Sequence, residues 1–355
     1  MSKNIYIFGA GASYYAIPVV NNINKRLNET LERICQITIP ESLKSPIALH
    51  NLKTIAEMQH LLKETKDWLM DELGDNSIDT LAKRLSDLND YQNLTRLKAI
   101  LSSYLIYEQT KKEKHLKLSE ASREIDPRYR DFFARAGKRV GDYVVINSNI
   151  SILSWNYDLQ FEKTYSTYYP NKDLSEFSDL LNSFPSYGNS QNNILTNNDK
   201  FNLVKLNGTA GLLYHKSDKK LFSLLRNFKD KGTYTNELLA LDIFVNTMNP
   251  SLSYTHSPGL KFAFEAKPDG DDLIEKAKNL CHDAEKLIII GYSFPDFNRE
   301  FDIEILRNLS SLKEIIIQDY ESGYDRNQEI LKTILNEKIN IKHHKDLEKF
   351  YIPPL

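Results

Sequence analysis

The strongest constraint is a recurring pattern. Short, wholly apolar runs end in small or polar residues and are separated by helix-like stretches. "NIYIF" begins the series at about 4–8, and "ISILSW" (150–155), "FNLVKL" (201–206), "KLIIIGY" (286–292), "KEIIIQDY" (313–320) and "KINIKHH" (338–344) continue it. A strand buried on both faces reads as a continuous apolar run, whereas a half-exposed strand alternates. Helical segments are expected near 157–167, 271–283, 298–309 and 325–336. Strands alternating with helices predict an α/β chain with a doubly wound, mostly parallel sheet covered on both faces.

Between about 50 and 142 the pattern changes. "NSIDTLAKRLSDLNDYQNLTRLKAILSSYLIYEQTKKEK" places apolar residues three and four apart, with Ser77 suited to cap the helix that begins "IDTLAKRL". A further helix is expected over 127–141, opened by Pro127, and Pro18 suits the first turn of the helix after the first strand. The expected organisation is a sheet domain from 1–30 and 143–355, with a helical insertion at 31–142 after the first βα unit. "NSFPSYGNSQNNILTNND" (182–199) reads as loop.

Composition narrows the function. A net charge of −2 gives no electrostatic case for nucleic acid as a directly bound partner. Two cysteines, Cys35 and Cys281, cannot form a four-thiolate zinc site or a disulfide framework. No apolar run approaches the roughly 18 residues of a membrane span, and the run after Met1 is too short for a signal peptide. The expectation is a cytoplasmic protein without a membrane partner. "HH" at 343–344 reads as a solvated strand end, since neighbours on a strand face opposite ways. "KKEKHLK" (111–117) reads as a solvated helix end.

Ligands of open α/β sheets bind at the carboxyl ends of the strands. Here those ends read "GAGAS" (9–13), "SWNYD" (154–158), "KLNGTAG" (205–211), "GYSFPD" (291–296) and "QDY" (318–320). The glycine pair Gly9 and Gly11 suits a backbone that approaches phosphate at a helix N-terminus; it equally suits a tight turn. The dehydrogenase fingerprint is incomplete, because Tyr14 stands where its third glycine belongs. Asn156 and Asp158 are also good helix N-caps.

Taken in order, "GAGAS…IP", "SIDTL", "ILSWNYD", "KLNGTAG" and "IIIGYSFPD" resemble the SIR2-like family, most of all the bacterial NAD hydrolases of anti-phage defence. The resemblance implies a Rossmann-like NAD-binding domain, with NAD as substrate and no metal. Deacetylase sirtuins carry a cysteine-ligated zinc module, which this chain cannot supply. Carried over by position, Gly9, Ala10, Gly11, Ala12 and Ser13 would wrap the diphosphate. Asn156 would hold water or the nicotinamide ribose, with Asp158 beside it. Gly291, Tyr292 and Ser293 would lie near ribose and phosphate, and Asp319 would bind an adenosine hydroxyl.

One position departs from the family. "KLHG" normally supplies a catalytic histidine, and this chain has Asn207 there. An amide is no general base, a contribution typically worth about 10²–10⁴-fold. Asn156, Asp158 and Asn207 remain as the catalytic set, with His215 and His256 as possible substitutes for the missing imidazole. The resemblance implies an NAD hydrolase that acts as a toxic effector, gated by a separate sensor or activator protein or by homo-oligomerisation. The alternative is an inactive NAD- or ADP-ribose-binding subunit that regulates a partner.

Overall fold

Six of the expected apolar runs become parallel strands of one sheet. The computed structural model describes residues 2–17, 20–36, 38, 54–110, 124–141, 143–169, 172, 174–187, 200–217, 220–223, 236–248, 255–265, 273–335 and 339–354. The chain enters through β1 (Asn4–Phe8) and continues through α1 (Val20–Gln36), α2 (Ile55–Leu73), α3 (Ile78–Asp87), α4 (Tyr91–Thr110) and α5 (Pro127–Ala136). A hairpin follows, β2 (Gly137–Val140) with β3 (Tyr143–Ile146), and then β4 (Ile150–Ser154), α6 (Gln160–Ser166), α7 (Leu174–Leu180), β5 (Ser183–Phe184) and β6 (Asn202–Lys205). Next come β7 (Gly208–His215), β8 (Lys220–Ser223), α8 (Asn236–Met248) and β9 (His256–Leu260). The last elements are α9 (Leu273–His282), β10 (Lys286–Ile290), α10 (Arg299–Leu306), β11 (Glu314–Gln318), α11 (Glu321–Leu335) and β12 (Asn340–His344).

The central sheet has seven strands in the order β12–β11–β10–β1–β4–β6–β5, and every pairing is parallel. Apart from the two-residue edge strand β5, this is the order of a Rossmann-like doubly wound sheet, in which the chain starts at the centre and builds outward on both sides. The switch point lies at β1, flanked by β4 and β10.

Alternate residues of each strand feed two cores. Tyr6, Phe8, Ile152 and Ile288 join the buried side chains of α1–α8, while Ile5, Ile7, Leu153 and Ile289 join those of α9–α11. Helix α4 is buried almost all round, which fits its apolar residues on every side, and it packs against α8. The helices between β1 and β4 therefore share one continuous core with a face of the sheet.

Residues 349–351 close over the first strand. Phe350 packs its ring 5.1 Å from that of Phe8 and 5.2 Å from that of Tyr129, and Tyr6 donates from its hydroxyl to the Tyr351 carbonyl across 345 residues of sequence. Gln318, at the end of β11, donates to Lys349 O at 2.6 Å and accepts from Tyr351 N at 2.9 Å.

Several expectations need correction. The helix expected over 127–141 stops at Ala136, where Gly137 turns the chain into the β2–β3 hairpin. A side chain at Gly137 would stand 2.5 Å from Phe133 O. The segment 157–167 becomes helical only at Gln160, and the helix expected from 325 begins at Glu321. "NGTAG" is not a free strand end: Gly208 opens β7, part of an antiparallel sheet β8–β7–β9 that the apolar pattern did not show. Within the expected loop 182–199, Ser183–Phe184 form β5. Residues 188–199, the stretch 111–117 and Pro18 lie outside the described residues. Ser77 caps α3 as expected, accepting from Thr80 N at 3.1 Å.

Candidate functional site

The carboxyl end of β1 explains its glycines through contact with another strand. A Cβ on Gly9 would meet Gly291 O and Tyr292 Cα, both at 2.6 Å, and one on Gly11 would meet Gly291 Cα at 2.8 Å. Gly291 returns the constraint, since its φ is +56° and a Cβ there would lie 2.5 Å from Gly11 Cα. The turns after β1 and β10 thus touch backbone to backbone. Gly9 N donates to Ile290 O at 3.1 Å, Gly11 N to Gly291 O at 2.9 Å and Ala12 N to Gly9 O at 2.9 Å. These three N–H groups are committed to the fold, so an anion here would have to use other donors. Helix α5 pins the turn from a third side. Arg128 Nη2 donates to Gly11 O and Ala12 O, while Asp126 accepts from Arg128 and from Tyr15 N.

The turn after β4 meets the same place. Asn156 Nδ2 donates to Gly9 O at 2.9 Å, and Ser13 donates its hydroxyl to Asp158 Oδ2 at 2.7 Å. With that hydrogen committed, the Tyr129 hydroxyl is left to donate to Ser13 Oγ at 3.0 Å. Asp158 Oδ1 accepts from Gln160 N, the first residue of α6, at 3.0 Å. Burial pushes the Asp158 carboxyl above its ordinary pKa, opposed by the Lys205 charge and the Ser13 hydrogen bond. Lys205 Nζ donates to Asp158 O at 2.5 Å and to Glu162 Oε1 at 3.0 Å, forming a fully enclosed ion pair.

The other expected residues are distributed around this junction. Asn207 donates to Trp155 O at 3.0 Å, whereas its Oδ1 is buried with no hydrogen-bond partner among the described residues. Its amide therefore bonds to a different carbonyl from that of Asn156. Tyr292 contributes backbone to the glycine contact, but its ring is buried in the second core. Ser293 is exposed. Asp319, just past the end of β11, is half-buried, with its carboxylate against Gly323 and its pKa raised by burial.

His215 and His256 face each other across β7 and β9, with ring centroids 4.6 Å apart. They lie at the end of those strands away from the Gly208–Leu260 pairing that adjoins Asn207. His343 and His344 point apart, His343 stacking on Tyr324 and His344 lying by Tyr351. No group of three or more metal-ligating side chains occurs among the described residues, and none of their helices is long and apolar enough to cross a membrane.

The sequence pattern missed several participants. Tyr129 and Arg128 reach the junction from α5, and their only signal was the Pro127 helix start. Asp302, on α10, accepts from the Tyr292 hydroxyl. A small cleft of about 50 Å³ opens on the other side of the β4 end, lined by Trp155, Leu206, Phe262, Leu273 and Phe301 among others. No protein-family model matches the chain, and no curated protein matches it.

Proposed function

We propose that this chain is a SIR2-like NAD glycohydrolase that releases nicotinamide and ADP-ribose. The carrying observation is the meeting of residues 9–13, 156–158 and 291 at the switch point, since this is where doubly wound sheets bind nucleotides. The reading also rests on the motif resemblance. In the reaction the C1′–N1 bond breaks and its electron pair neutralises the pyridinium. A water oxygen bonds to C1′ and its proton passes to solvent. The leaving group needs no proton, so the task is to stabilise positive charge on the ribose and to place water. Asp158 would supply the charge, kept ionisable by Ser13 and Lys205. Asn156 and Asn207 would orient water or ribose. Uncontrolled hydrolysis would exhaust the cell's own NAD, so the activity is assigned to an anti-phage effector gated by a sensor protein or by oligomerisation.

A second reading has its own support. Asn207 stands in the place of the family's catalytic histidine. The substitution at 207 suits a subunit that binds NAD or ADP-ribose without cleaving it. The test is incubation of the purified protein with NAD, alone and with the products of neighbouring genes, followed by chromatography of nicotinamide. Release that Asn156→Ala abolishes is the expected result. No release in any combination overturns the hydrolase reading, and calorimetric NAD binding without release establishes the second.

A further inference from the structure

The β2–β3 hairpin is closed along one edge and open along the other. Its register pairs Gly137 with Ile146, Lys138 with Val145, Arg139 with Val144 and Val140 with Tyr143. In an antiparallel pair, residues that bond to each other alternate with residues whose N–H and C=O point outward. Val144 is of the outward kind: its N–H donates to the Tyr169 hydroxyl, and its carbonyl accepts from the Tyr165 hydroxyl at 2.5 Å. These two hydroxyls close the β3 edge. Arg139, opposite Val144, therefore points its own N–H and C=O away from β3, along the other edge of β2. Neither group meets a partner among the described residues. The surroundings of this edge are basic and partly apolar. Arg130, Lys138 and Arg139 are exposed, and none has a carboxylate partner among the described residues. Asp131 is committed to Arg135, and Arg139 Nε bonds only to Gly141 O at 3.1 Å. Lys138, Val140 and Val145 share one face of the hairpin, and the two valines are 50% and 44% exposed.

We propose that the open edge of β2 docks an extended, acidic segment of a partner protein, which adds a third strand to the hairpin. The inference stands whether or not the chain acts on NAD. An open strand edge is a template for another chain, and main-chain bonds to Arg139 would supply the pairing. Charge selects the occupant. Consecutive carboxylates of the segment would face Lys138 and Arg139, and an apolar residue beside them would cover Val140. A second copy of this chain is a poor occupant, because pairing β2 with β2 about Arg139 sets two arginines directly opposite, which is destabilising. The hairpin continues directly from α5, whose Arg128 and Tyr129 hold the β1 turn. The docked segment thus sits at the far end of the helix that braces the crevice.

The experiment is selection from a phage-displayed library of random dodecapeptides on the immobilised full chain, followed by fluorescence anisotropy of the selected peptide. The expected peptides carry consecutive acidic residues beside a β-branched or aromatic one. Arg139→Pro removes the outward N–H, which bonds to nothing within the hairpin, and should weaken the peptide about fivefold beyond Arg139→Ala, the loss of one hydrogen bond. Lys138→Glu combined with Arg139→Glu should weaken it about tenfold or more in dilute salt, with the difference shrinking as salt is added. Circular dichroism checks the fold of each variant; if Arg139→Pro does not fold, the charge reversal and its salt dependence decide. No peptide selected above background, selected peptides without acidic residues, equal affinity for Arg139→Pro and Arg139→Ala, or an unchanged affinity after charge reversal overturns the proposal. Concentration-dependent dimerisation that Arg139→Pro abolishes, or oligothymidylate binding that the charge reversal abolishes, assigns the edge to another occupant and overturns it too.

Discussion

Gly291→Ala should be among the most damaging small substitutions in this protein, and its effect can be built from separate terms. The residue sits at φ +56°, where a side chain costs roughly 1–2 kcal/mol. Its Cβ would also lie 2.5 Å from Gly11 Cα and C and 2.6 Å from Ala12 N. All of these are backbone atoms, so no rotamer change relieves the overlap. Parting the two turns sacrifices the 2.9 Å bond from Gly11 N to Gly291 O, worth about 1 kcal/mol, and overpacking adds about 1–3 kcal/mol. The sum is about 3–6 kcal/mol, a large share of the roughly 5–15 kcal/mol that holds a typical domain. Gly74→Ala provides the control, because Gly74 has φ +49° but nothing within 4 Å of a built Cβ. It should lose only the conformational term. Urea denaturation of both variants, followed by circular dichroism, measures the difference. Equal losses would show that the contact between turns carries no energy and would refute the reasoning.

Two further expectations concern buried charge. The folded-state pKa of Asp302 is raised from 3.8 to about 7, so its stabilising contribution is complete below the unfolded value and is lost as pH rises to about 7. The loss is at most about 4 kcal/mol. Urea midpoints from pH 4 to 8 should flatten in Asp302→Asn, and parallel curves would contradict the assignment. Lys205→Met strands the Glu162 carboxylate, which is 0% exposed, and should cost about 3–5 kcal/mol. The double variant with Glu162→Gln should recover much of that loss in the same denaturation assay; no recovery would mean that the lysine acts mainly by packing.

The residues differ in how much of their structural role could be seen in advance. "KLIII" and "EIIIQ" announced β10 and β11 because a strand covered on both faces needs apolar residues throughout. Ser77 announced α3 because capping is local chemistry. Helix α8 and strands β7–β9 gave no such signal. Their order comes from packing on α4 and from pairing with one another, not from local periodicity. The same limit applies at the site. Gly9 and Gly11 read as a phosphate turn, yet much of their constraint comes from Gly291, a partner no local pattern can reveal. Asn156 and Asp158 could be picked out by position at a strand end, whereas Tyr129 and Asp302 become visible only once helices from either layer are folded against that end.

The seal formed by Phe350 and Tyr351 over β1 bears on synthesis. Strand β1, translated well before β10, occupies the middle of the sheet, and its aromatic face is completed by residues that emerge hundreds of codons later. While the nascent chain grows, Tyr6 and Phe8 have no finished neighbour on that side, and β10 is also still missing. Contacts so distant in sequence make productive collapse slow and leave sticky surface open to wrong partners. Production of this protein should therefore depend on chaperone supply and translation speed more than its final burial would suggest.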